Sequence, residues 1–102
     1  MGLEFTTISD LQGAAIYFLH DGSEHNKSSF TGLMSDVQRR TKKQCVLLDS
    51  KSEDGMKIRR FYALKGTHFV IIVRDNDQLH HVWSDGEHFD ASKIAFTAEQ
   101  AG

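Results

Sequence analysis

The chain has no proline and a single cysteine, Cys45. Without proline, no loop contains the residue that makes a cis peptide bond inexpensive; before any other residue that bond costs about 2.5–4 kcal/mol. One cysteine excludes an intramolecular disulfide and every Cys-x-x-Cys redox or metal motif. Long apolar runs are missing too. Ala14–Leu19 and Phe69–Val73 are the longest, far short of the roughly 20 residues of a membrane-spanning helix. No basic run gathers the 12 Lys and Arg, and with 14 Asp and Glu the formal net charge is -2. That leaves no electrostatic footprint for nucleic acid or an anionic membrane. The opening MGLEFTTISD has no basic segment followed by an apolar one, as a signal peptide requires. Gly2 with Thr6 and Thr7 fits a myristoylation pattern only loosely. The expectation is a cytoplasmic protein without a cofactor.

What is present is an ordinary globular composition, 39% hydrophobic and 25% charged over 102 residues. That length suits one domain, 1–102, built on one core. Its main organisational signal is an alternation of elements. Leu3–Thr7 reads as a short strand and Ala14–Leu19 as an apolar one bounded by Gly13 and Gly22. Phe30, Leu33, Met34 and Val37 recur at helical spacing, predicting a helix over Lys27–Arg40, with Asn26 favoured over Ser23 as its cap. Gln44–Asp49 reads as a strand. Asp54 can cap a short helix that turns Ile58, Phe61 and Tyr62 inward. His68–Val73 is a strand, Asn76–Gln78 a turn and Leu79–Trp83 a further strand, and Asp90 can cap a last helix with Ile94 and Ala98 inward. Three near-continuous apolar strands imply burial on both faces, hence helices on both sides of a mostly parallel sheet.

This order, with the run from Tyr62 through Gly66-Thr67-His68 into FVIIV, resembles the thioredoxin family over residues 14–98. The resemblance implies a three-layer α/β sandwich with a central mixed sheet of four to five strands flanked by helices. The short stretch between Phe5 and Ala14 leaves the first helix short or missing. Under it, Phe18 falls on the strand-end aromatic and Ser23-Glu24-His25-Asn26 on the Cys-x-x-Cys. Lys27 falls on the basic residue that follows, Tyr17 on a buried acid, Asp49 on the acid ending the third strand and His68 on the cis-proline. Both cysteines and the proline are therefore absent. Thiol–disulfide exchange needs a low-pKa thiolate and a resolving thiol. Ser23 has a hydroxyl, Asn26 resolves nothing, and Cys45, mid-strand, reads as a small buried hydrophobe. With histidine in place of proline, the Thr67–His68 bond is expected to be trans, with His68 directed toward the Ser23–Asn26 loop.

Family geometry places the loop after the second strand opposite the loop before the fourth, which implies a binding site made of Ser23, Glu24, His25, Asn26, Thr67 and His68. Peptide recognition can outlive catalysis, because edge pairing uses main-chain groups rather than a thiol. The leading expectation is thus a redox-inactive domain that binds a protein or an extended peptide, with no nucleic-acid or membrane partner. One alternative is a metal-binding domain using His20, His25 and His68, although no ligand spacing in the chain is diagnostic. Another is a thiol-dependent protein of the same family with an atypical mechanism, for example holding a glutathione thiolate at Ser23. Weighed against all of these is a solvated polar loop, with Asp21 and Glu24 favoured by the helix dipole. A hydrolytic Ser23/His25/Asp21 set lacks the glycines of a nucleophile elbow. Trp83 and Tyr62 read as core aromatics in the absence of a basic groove. His80 and His81 alternate faces, one packed and one exposed, and His88 reads as surface.

Overall fold

A computed structural model describes residues 15–74, 78–84, 87 and 89–101. The strand expected at Leu3–Thr7, the helix before Ala14, His88 and the centre of the turn at Asn76–Gln78 lie outside the described residues. The elements are β1 (Ile16–His20), α1 (Glu24–Thr41), β2 (Cys45–Asp49), α2 (Glu53–Phe61), β3 (Phe69–Val73), β4 (Leu79–Ser84) and α3 (Ala91–Gln100). The four strands form one sheet in the order β2-β1-β3-β4.

The sheet is mixed, not mostly parallel. Only β1 and β2 run parallel; β1–β3 and β3–β4 are antiparallel. The apolar runs reported burial on both faces correctly for β1 and β3, whereas the edge strand β2 is half-buried, and such burial needs only that helices cover both faces, whatever the strand direction. The link from Val73 to Leu79 spans residues 74–78, too short for the crossover that a parallel partner demands. Alternation along each strand then divides the core. Ile16, Phe18, Val70, Ile72 and Trp83 face Phe30 and Val37 of α1 and Ala91, Ile94 and Ala98 of α3. Tyr17, Leu19, Phe69, Ile71 and Val73 face Ile58 of α2, with Phe61 and Tyr62 packed beside them. β1 and β3 are buried along their whole length.

Two helices start earlier than their apolar spacing indicates. α1 is capped by Ser23, whose hydroxyl accepts from the Asn26 amide at 3.1 Å. Asn26 cannot cap because it lies inside the helix, and its side chain instead accepts from the Asp21 amide at 2.7 Å. α2 is capped by Ser52, which accepts from the Gly55 amide at 3.1 Å, and Asp54 joins Glu53 in the first turn, where the dipole favours acids. Asp90 does cap α3, accepting from the Lys93 amide at 2.9 Å. Gly55 has a specific task in α2. A Cβ there would collide with the Asp49 carbonyl and stand 2.8 Å from Ser50 Cα, so only glycine lets the helix start so close to the end of β2. Among the described residues, no helix is long and apolar enough to cross a membrane.

Truncating Ile72, fully buried between β1, β4 and the α1/α3 layer, to alanine is expected to cost about 2–5 kcal/mol in a denaturant or thermal melt. Gly55→Ala is expected to lower the melting temperature as well, whereas Gly32→Ala, where an added Cβ meets nothing within 4 Å, should not. An unchanged midpoint for Ile72→Ala or Gly55→Ala would contradict this packing.

Candidate functional site

At the end of β1 the chain leaves the sheet through Asp21 and Gly22 and enters α1 at Ser23. Local hydrogen bonds fix this turn. The Ser23 amide donates to Asp21 Oδ1 at 2.9 Å, and the Gly22 amide donates to His20 Nδ1 at 3.0 Å. Gly22 adopts φ 93, a left-handed backbone that suits glycine, and its would-be Cβ position lies 3.5 Å from Asp49 Oδ2. The carboxylate that ends β2 therefore sits against the turn that ends β1.

The loop before β3 reaches the same edge of the sheet. Ser50, fully buried, donates its amide to the His20 carbonyl at 2.9 Å and its hydroxyl to the Thr67 carbonyl at 2.5 Å. One side chain thus ties the end of β1 to the 67–68 segment. His68 Nδ1 stands 4.0 Å from Asp21 Oδ2, and its ring meets Phe30 edge-on at 5.9 Å. The Thr67–His68 bond is trans, as expected for a residue other than proline. Thr67 is exposed, and its amide has no partner among the described residues.

The six residues singled out from the sequence are brought together only in part. Ser23, Glu24 and His25 are exposed on the first turn of α1, Asn26 is half-buried, and Asp21 rather than any of these four faces His68. His20, His25 and His68 do not assemble. His20 is buried with Nδ1 occupied, His25 is exposed, and among the described residues no three His, Cys, Asp or Glu converge as metal ligands. Ser50 was missed, because a serine after a strand-ending acid carries no signal of its own. Of the histidine pair on β4, His80 is half-buried beside Arg74 at 2.9 Å, while His81 is exposed yet leans on Trp83 with ring centroids 4.4 Å apart.

Chemically, the cluster holds no activated nucleophile among the described residues. The Ser23 hydroxyl is engaged as a helix cap, and the Ser50 hydroxyl is spent on Thr67. Cys45 is the first residue of β2 and only half-buried, not mid-strand and buried; it pairs with Ile16, at the end of the sheet opposite Asp49 and His20. Partial burial pushes its thiol from 9.0 up to about 11, which leaves almost no thiolate at neutral pH. Asp21 moves the other way. The Ser23 amide holds its carboxyl below the usual 3.8, helped by the Ser23 hydroxyl, opposed by burial, and aided further by the charges of His68 and Lys51.

No family model matches this chain, and no curated protein matches it. What the fold and site define is a class: an α/β domain with a four-stranded mixed sheet and three described helices, bearing a polar loop cluster at the edge where β1 and β2 end and β3 begins.

Because the pKa of Asp21 is depressed in the folded state, its ionised form contributes stability above the ordinary carboxylate value, and that contribution is lost as pH falls through the lowered one. Carboxyl-carbon NMR should find Asp21 titrating below 3.8. His68→Gln should raise that pKa only slightly, since the Ser23 amide is the chief cause. A return to 3.8 in His68→Gln would mean that the histidine, not the amide, holds the carboxylate.

Proposed function

We propose that this chain is a redox-inactive, thioredoxin-like domain that binds a protein or an extended peptide segment at the cluster formed by the 20–26 turn and the 67–68 loop. The observation that carries this reading is the approach of His68 to Asp21 across two loops far apart in sequence, with exposed Thr67 beside them. In the family the chain resembles, the corresponding loops face each other and the segment before the strand pairs with substrate backbone. The Thr67 amide, without a partner among the described residues, offers the matching main-chain donor here. The Ser50 hydroxyl holds the Thr67 carbonyl from behind, so the loop is ordered before a ligand arrives, which limits the entropy lost on binding.

The single cysteine and its place at the far end of the sheet support the loss of dithiol chemistry. Insulin reduction by dithiothreitol should run at the buffer rate in the presence of the protein. A thiol probe should label Cys45 slowly in the native state and quickly after denaturation; fast native labelling would revive a one-cysteine redox mechanism.

The binding reading is tested by selecting peptides from a displayed random library and mapping the binders by amide NMR shifts. The largest changes should fall on Asp21, Ser23, Thr67 and His68. The Thr67 amide should shift downfield and become protected from exchange as it gains a partner. Binders whose shifts centre elsewhere, or an exhaustive selection without binders, would remove this reading.

A further inference from the structure

The loop before β3 is fixed by residues that do not belong to it. Ser50 Oγ donates to the Thr67 carbonyl at 2.5 Å, and that bond holds the plane of the Thr67–His68 peptide. A serine side chain has three rotamers, so its direction depends on how its own backbone is held. Ser50 is held on both sides. Its amide donates to the His20 carbonyl at 2.9 Å, and its carbonyl accepts from Arg59 Nη1 at 2.9 Å. The first contact comes from β1. The second comes from α2, nine residues further along the chain.

Arg59 reaches Ser50 because α2 lies against the 49–50 segment. Gly55 and Arg59 are four residues apart, the spacing that puts side chains on one helical face. At Gly55 no Cβ fits against the Asp49 carbonyl and Ser50 Cα, and Ser52 Oγ donates to the same Asp49 carbonyl at 2.6 Å. Ile58, fully buried, fastens the helix to the core of the sheet. Arg59 is half-buried, and its Nε is buried without a hydrogen-bond partner among the described residues. Nor does any described carboxylate pair with its guanidinium. The neutral Ser50 carbonyl is therefore the group that directs this side chain. A buried donor left unmet costs stability, so an arginine is a poor choice here for packing alone.

We infer that Arg59 is a positioning residue for the Thr67–His68 loop: through Ser50 it transmits the placement of α2 to the backbone that meets a bound peptide. This role rests on the binding site proposed above and adds to it a residue, outside the cluster, that sets its affinity. Arg59 itself touches no ligand. Without the Nη1 bond, Ser50 keeps its amide on His20 but its carbonyl is released. The hydroxyl then loses its fixed direction, and the Thr67–His68 peptide gains freedom that a bound segment must remove.

The test begins on the free protein. Backbone relaxation should give Thr67 and His68 amide order parameters near the rigid value of about 0.85, and Arg59→Met should lower them toward about 0.6 while β1 and β3 keep theirs. Arg59→Lys, which retains a donor for the Ser50 carbonyl, should recover most of that order. For a displayed peptide selected on the wild-type chain, Arg59→Met should weaken binding about fivefold and Arg59→Lys less than about twofold. Ser50→Ala cuts the link on its far side, so adding Arg59→Met to it should weaken binding no further. In the wild-type chain the peptide should also shift the Arg59 Hε resonance. The role is overturned if Arg59→Met leaves loop order and affinity unchanged, if it loosens β1 and β3 as much as the loop, or if its full effect persists beside Ser50→Ala. A wild-type chain that yields no binder removes the site, and this role with it. A binder whose affinity ignores Arg59 removes the role and leaves the site. Loop order and the Hε shift are read on chains that keep Ser50, so a folding defect in Ser50→Ala cannot mask the result.

Discussion

The antiparallel pairing of β1 with β3 is the constraint on which the rest of this molecule depends. Its register sets Leu19 opposite Phe69 and Ile16 opposite Ile72. Both strands are buried on both faces, so a slip of one residue would exchange the two apolar sets and turn each toward the wrong helical layer. The same register determines where the loops meet. Since Leu19 ends level with Phe69, the chain leaving β1 and the chain entering β3 emerge at one edge, and Asp21 comes to face His68. Core packing and site geometry are therefore consequences of one ladder.

Ser50 converts that coincidence of loop ends into a fixed arrangement. It is fully buried, and its amide and hydroxyl each hold a carbonyl from a different segment, His20 and Thr67. A buried polar group without partners would be destabilising; here each partner is a backbone group that would itself otherwise be unmet. Gly55 cooperates by allowing α2 to begin directly against Asp49 and Ser50. Arg59 then returns from the helix to the Ser50 carbonyl at 2.9 Å. The end of β2 is thus a junction at which three segments are held by one serine and its neighbours.

Neither the shifted carboxylate of Asp21 nor the thiol of Cys45 is poised for chemistry at this edge, for an electrostatic and a positional reason. Its strongest titration effect, on Asp21, stabilises a carboxylate that is ionised at neutral pH anyway, so it prepares neither a base nor an acid for that range. The one thiol sits at the far end of the sheet, and burial drives it away from the thiolate. The edge presents, among the described residues, a hydrogen-bonded turn, exposed Thr67 and a half-buried imidazole.

Much of the architecture was legible in the residues. Apolar runs located β1, β2 and β3, and Asp90 announced α3. Those readings rest on local periodicity, which the folded chain preserves. Helix starts were misread because an apolar stripe marks only where large side chains touch the core; the first turn of α1 is largely solvated, that of α2 packs through Gly55, which has no side chain, and hydroxyl caps at Ser23 and Ser52 set their true beginnings. Strand direction was misread because burial on two faces constrains the covering layers and not the sense of pairing. The sequence alone determined that this chain holds no pair of thiols, since no fold can supply a second cysteine. Only the tertiary structure decided that Asp21, rather than His25, faces His68, that Ser50 joins the loops, and that Arg59 reaches the Ser50 carbonyl. Such meetings depend on register and on the geometry of turns, which no local pattern encodes.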